Sequence, residues 1–162
     1  MNMKDINSNV INVGDYLIIA SKASVSHVMK VAKIFKKDKD KIYFKTVEND
    51  WRGLIVSKRN ISLERHKVKD RIAIVDEKKV PEEFKKLLDG EERSDELNSS
   101  KNKDFFNNKI AVDKNCYVAK HHNNYSILVQ GKIVKLQGKT IFYDIGGKIC
   151  KTQKCNNILI VD

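Results

Sequence analysis

The chain has 162 residues, 41% of them hydrophobic, and 32 lysines and arginines against 21 aspartates and glutamates, a formal net charge of +11. That apolar content excludes wholesale disorder, seven glycines and one proline exclude a collagen-like chain, and no run of about 18 apolar residues is present to span a bilayer. The charge points to a polyanion, whether DNA, RNA or an acidic membrane surface, without choosing among them.

Met1–Val10 is polar and lacks the apolar core of a signal peptide, so a cytoplasmic protein is expected. Short β-rich runs follow at Asp15–Ala20, Val28–Phe35 and Ile42–Val47, with β-branched and aromatic residues throughout. Lys37-Asp-Lys-Asp-Lys41 suits an exposed hairpin turn. A fourth strand is predicted at Leu54–Ser57, after Trp51-Arg-Gly53, and a fifth at Ile72–Val75. Pro81–Asp89 reads as a helix, with Pro81 at its first position, Glu82 and Glu83 at the positive dipole end, and Gly90 as its stop. Its stripe of Phe84, Leu87 and Leu88 should pack on one neighbouring domain, while Glu91–Asp104 is polar and reads as a flexible connector. Strands are then predicted at Asn115–Ala119, Ile127–Leu136, Thr140–Ile145, Lys148–Lys151 and Ile158–Val161, with Gln137-Gly-Lys139 as a turn.

The second set echoes the first. Sliding the chain by 99 positions aligns Ile11–Thr46 with Ile110–Ile145 without a gap, pairing Lys33 with Lys132 and Lys36 with Lys135. Both halves then close on similar phrases, Ile72–Asp76 and Ile158–Asp162, at an offset of 86, so the first copy carries 13 extra residues. Charge respects the same partition. Residues 1–76 hold 16 basic and 9 acidic side chains, residues 77–104 hold 7 and 9, and residues 105–162 hold 9 and 3. We read a tandem duplication: an N-terminal β-barrel at 1–76, an acidic, polar linker at 77–104 with one short helix, and a C-terminal β-barrel at 105–162. Five short strands per copy favour a small closed barrel, because closure removes exposed edges.

Val13-Gly-Asp-Tyr-Leu17 in the first copy and Gln130-Gly-Lys-Ile-Val134 in the second resemble the KOW and Tudor class of small barrels. Each copy departs from that pattern: Ala32 replaces the central glycine of the first, and Asp113-Lys114 the opening Gly-Asp of the second. Such barrels bind nucleic acid or protein, so this likeness implies a fold and leaves the ligand open. Taken whole, the chain also resembles the MotB family of T-even phage proteins made early in infection. That resemblance implies a DNA-binding, nucleoid-associated protein that modulates transcription in the infected host.

The residues themselves support a polyanion surface. Lys33, Lys36, Lys132 and Lys135 recur at equivalent positions, and strand alternation turns Lys33 away from Ile34. Lys37, Lys39, Lys41 and Lys139 extend the basic edge into the turns, and Lys58, Arg59, Lys148, Lys151 and Lys154 lie near the following strand. Phosphates need diffuse positive charge, which such an array supplies. Arg52, beside Trp51 at a turn, is a candidate for the minor groove. Tyr43, Phe44, Phe142 and Tyr143 should alternate between core and surface. Cys116, Cys150, Cys155, His121 and His122 lack zinc-ligand spacing, and no phosphate loop or nucleophile motif appears, so neither metal, cofactor nor catalysis is expected. The expected function is sequence-tolerant binding of double-stranded DNA, with RNA polymerase or host nucleoid proteins as further partners and no membrane or small-molecule substrate. The alternatives are an adaptor that grips RNA polymerase or a ribosomal protein, and an RNA-binding module.

Overall fold

Two runs, Tyr16–Ala20 and Cys116–Ala119, are apolar without alternation, which a strand tolerates only when both of its faces are covered. That requirement organises the molecule. The computed structural model describes residues 2–23, 26–50, 53–57, 59–90 and 103–162. The first half holds β1 (Tyr16–Ala23), β2 (Ser26–Lys37), β3 (Lys41–Asp50), β4 (Gly53–Val56), β5 (Ile61–Glu64), the helical turn α1 (Arg65–Val68) and β6 (Ile72–Val75). Helix α2 (Glu82–Leu88) follows. The second half holds β7 (Asn115–His122), β8 (Tyr125–Gln137), β9 (Thr140–Ile145), β10 (Lys148–Thr152) and β11 (Ile158–Ile160).

Every strand pairing is antiparallel. The first sheet runs β4-β3-β2-β1-β6, with β4 and β5 sharing the outer edge of β3, so it is five strand positions wide. The second runs β10-β9-β8-β7-β11. The expectation of closed barrels is corrected: among the described residues no ladder joins β6 to β4 or β5, or β11 to β10, and both sheets are open. Closure is one way to bury apolar strand surface; here each sheet lays one face over a core of its own and the other face against its neighbour.

The first private core gathers Leu17, Ile19, Ala32, Ile34, Ile42, Phe44 and Ile72. Cys116, Val118, Ile133, Ile141, Tyr143 and Ile158 form the second. The opposite faces meet in a shared core, where Ile18, Ala20, Met29 and Ala73 of the first sheet join Tyr117, Ala119, Leu128 and Leu159 of the second. These are equivalent positions at offsets of 99 and 86, so the sheets pack as an isologous pair would, within one chain. Phe84, Leu87 and Leu88 of α2 enter this core with Phe105 and Phe106, and the Phe84 ring lies edge-on to both at 5.4 Å. The helix packs on the first sheet, against β2, β3 and β4, with Phe105 and Phe106 of the second half set against its Phe84 ring. Pro81 stands at its N-cap with ψ 143°, one position before the first helical residue, and Gly90 ends it at φ +90°.

Equivalence extends to hydrogen bonds. Asp5 Oδ1 accepts from the amides of Asn7 and Asn9, and Asp104 Oδ1 from those of Phe106 and Asn108. The second oxygen of each accepts from the amide of Ile74 or Ile160, at 2.9 and 2.7 Å, which fastens each entering turn to the strand that ends its sheet. Asp104, assigned from sequence to the connector, is thus a buried structural residue of the second unit. A β-bulge interrupts β2 between Ile34 and Lys36, and β8 between Ile133 and Lys135.

One expected equivalence shifts. Tyr43 pairs with Ser62 of β5, whereas Phe142, 99 positions later, pairs with Lys151 of β10. The counterpart of β10 is therefore β5, which the sequence reading missed, and not the strand predicted at Leu54–Ser57. The offset drops from 99 to 89 across the longer β3–β4 hairpin and to 86 across the α1 turn. Ten of the 13 extra residues thus extend a hairpin and three enlarge a turn.

Candidate nucleic-acid interface

Along β2 the outward side chains change character. Met29 and Val31 lie in the shared core, and beyond them the same face continues with Lys33 and, past the bulge, Lys36. In β8 the sequence is Leu128, Gln130, Lys132 and Lys135. Each sheet face is apolar where the other sheet covers it and basic where it emerges. The bulge re-aims the chain, aligning Lys36 with Tyr43 and Lys135 with Phe142 across the ladder. The ammonium of Lys36 sits 4.9 Å from the Tyr43 ring centroid, and that of Lys135 sits 5.6 Å from the Phe142 centroid. Phe44 and Tyr143 point the other way and are buried, the alternation expected from sequence.

The lysines are not equally free. Lys33 donates to Asp89 Oδ1 at 2.7 Å and lies 5.0 Å from the Tyr16 centroid; the Asp89 hydrogen bond holds its pKa above the ordinary lysine value. This pair ties the end of α2 to the sheet. Lys132 pairs with Asp113 at 3.3 Å, Lys36 with Asp38 at 3.5 Å, and Lys37 donates to the Ile11 carbonyl at 2.7 Å. Exposed ion pairs contribute little to stability, yet a lysine must leave its carboxylate to neutralise a phosphate fully.

Lys39, Lys41, Arg59, Lys139, Lys148, Lys151 and Lys154 are exposed and form no ion pair among the described residues. Lys39 lies in the β2–β3 turn and Lys41 opens β3; Lys139 lies in the β8–β9 turn. Lys151 pairs with Phe142, giving a row Lys135–Phe142–Lys151 across three strands. Lys148 opens β10 after a turn in which Gly146 and Gly147 take φ +57° and +89° and the Gly147 amide donates to Asp144. Arg52 and Lys58, with Trp51, lie outside the described residues.

The sequence reading missed two contributors. Lys45 faces Lys33 across the β2–β3 ladder, where Asp144 occupies the equivalent place of the second sheet, so the first face is the more basic. Arg65, Lys67, Lys69 and Arg71 cluster on and after α1. Their density in the sequence was a usable signal, obscured because no counterpart exists in the second half. Among the described residues no group of three or more His, Cys, Asp or Glu side chains is arranged to hold a metal ion. Cys116 is buried and its thiol is pushed up to about 12 by burial. No family model matches the chain, and no curated protein or solved structure matches it either.

Proposed function

We propose that this chain binds double-stranded DNA with little sequence preference, through the basic ends of the two sheet faces. The observation that carries the reading is the recurrence of one device: a bulge, a lysine aligned with an aromatic ring, and an adjacent lysine-bearing turn in each half. Diffuse cations on a face suit the phosphate backbone, and a half-buried ring beside them offers a surface for sugars or an unstacked base. The halves are a tandem duplication of a KOW- or Tudor-like unit. The resemblance to the MotB family gives this activity its setting: a nucleoid-associated protein altering transcription in a phage-infected bacterium.

A second reading has its own observation. Val13 and Phe35, and the equivalent Val112 and Val134, are exposed apolar residues beside the basic ends, the composition of a protein-docking patch. An adaptor gripping RNA polymerase or a ribosomal protein would use them.

Binding to unrelated duplexes across a salt series separates the two. Phosphate neutralisation gives a log–log slope of about −0.9 per contact. Replacing Lys135, Lys139, Lys148 and Lys151 by Gln flattens that slope and weakens all duplexes alike, whereas Lys33→Gln changes it little because Asp89 already holds that cation. A folded quadruple variant with unchanged affinity and slope defeats the reading, and preference for RNA over duplex DNA in competition replaces it with RNA binding.

A further inference from the structure

The α1 turn is three residues longer than its counterpart before β11, and it builds something the second half lacks. His66, Lys67, Asp70 and Arg71 of this turn face Tyr125, the first residue of β8, across a cleft of about 390 Å³. A neighbouring hollow of about 270 Å³ shares Asp70 and Tyr125 and adds Lys69 and His122. The junction is fixed by backbone, since the Leu128 amide donates to the Asp70 carbonyl at 3.0 Å.

Arg71 is the unusual member. One Nη donates to the Ala20 carbonyl at 3.3 Å, while Nε is buried and has no hydrogen-bond partner. A buried guanidinium N–H left unpaired costs free energy that an incoming acceptor would return. Lys67 and Lys69 stand beside it with two carboxylates, Asp70 in the lining and Glu64, which Lys67 and His66 reach at 3.2 and 3.6 Å, so an incoming anion competes with Glu64 for Lys67. Tyr125 is 38% exposed, and the edge-on ring of His122 at 5.3 Å steadies it. Planar donors beside an exposed aromatic face fit a phosphate ester: the anion on Arg71 and Lys67, its attached group against the ring.

We propose that this junction cleft binds the phosphate group of a phosphate ester, through Arg71 and Lys67, with Tyr125 as the platform for the group it carries. The site stands on observations separate from the lysine–aromatic rows and does not depend on them.

The test uses the full chain and ¹H–¹⁵N spectra of the arginine Nε–H groups. Inorganic phosphate, a 5′-mononucleotide and a short DNA duplex are titrated separately at ionic strength matched with chloride. The expected result is a saturable shift of the Arg71 Nε–H resonance with at least one phosphate ligand and none with chloride. Lys67→Gln weakens it several-fold, and Tyr125→Leu weakens the mononucleotide or duplex but not inorganic phosphate. A response to the mononucleotide identifies a free nucleotide as a source, and a response to duplex alone identifies a backbone phosphate. Because Arg71→Gln removes the resonance and also a bond to Ala20, Lys67→Gln and Tyr125→Leu decide the matter. Silence of Arg71 to all three ligands, or equal shifts in both variants, overturns the site. Duplex binding that persists with Arg71 silent overturns it while leaving the DNA reading intact.

Discussion

Removing the Phe84 side chain tests whether the two sheets are one cooperative structure. Phe84 is 1% exposed and contacts Phe105 and Phe106 within a core fed by both sheets. Phe→Ala at such a site costs about 3–5 kcal/mol, through lost transfer energy and the cavity left behind. A helix as short as α2 has no independent stability, so it should detach with the loss of its central anchor, taking the Lys33–Asp89 pair with it. Against a total stability of about 5–15 kcal/mol, such a loss is large. Urea unfolding followed by circular dichroism and tyrosine fluorescence gives the measurement. With a slope of about 2 kcal/mol/M, a loss of about 4 kcal/mol moves the midpoint down by about 2 M, and both probes move together. A wild-type protein that unfolds in two steps, only one of them sensitive to Phe84→Ala, would refute the shared core as the organising element. A loss below about 1 kcal/mol would do the same, since a buried aromatic anchor cannot be so cheap.

Other positions give sharper local tests. In Asp104→Asn an amide NH₂ replaces Oδ2, which accepts from Ile160 N–H and Asn108 Nδ2, so chemical denaturation should report a cost of about 1–3 kcal/mol. Burial also lifts the Asp104 carboxyl above its ordinary range, against the donors that pull it down. The sign follows: this group's contribution to stability declines as pH rises from about 4 through the folded value, and wild type minus variant isolates that limb. At Gly131 a Cβ would lie 2.9 Å from the Asp144 carbonyl oxygen, so Gly131→Ala should cost about 1–3 kcal/mol by thermal denaturation. Its counterpart at an offset of 99, Ala32, is buried with a Cβ in place. A thiol reagent at neutral pH should modify Cys150 and Cys155 first and Cys116 only on unfolding; equal rates for all three would contradict the burial that pushes Cys116 up to about 12.

Most strands and the helix were legible because their signals are local. β-Branched runs, glycine turns and the stripe of Phe84, Leu87 and Leu88 each specify an element without reference to the rest. What was not legible is what packs on what. The runs Tyr16–Ala20 and Cys116–Ala119 did carry a message: without alternation, neither strand can leave one face in water. Reading them as walls of closed barrels accounted for one face and left the other unassigned. β5 escaped notice because Ile61-Ser-Leu-Glu64 is short and becomes a strand by adding to the edge of β3. For the candidate interface, recurrence picked out lysines that share one face of each sheet, but it could not show that Lys33, Lys132 and Lys36 are paired with Asp89, Asp113 and Asp38, and of these Asp89 lies 56 residues from its partner.

The shared core also changes how two basic surfaces on one chain can cooperate. Two modules on a flexible tether gain avidity in proportion to an effective concentration set by tether length. Here Ile18, Met29, Tyr117 and Leu128 lock the sheets together, and the Asn7 side chain donates to the Tyr117 hydroxyl while accepting from Gln130. The packing of β1 and β2 against β7 and β8 therefore sets the distance between the lysine-bearing ends. A fixed spacing removes the entropic cost of bringing the second surface to the polymer, provided the polymer's phosphates match that spacing. Under the proposed DNA binding it also ties binding to folding: a core substitution that loosens the sheet pair should then weaken affinity for duplex DNA without touching a single lysine.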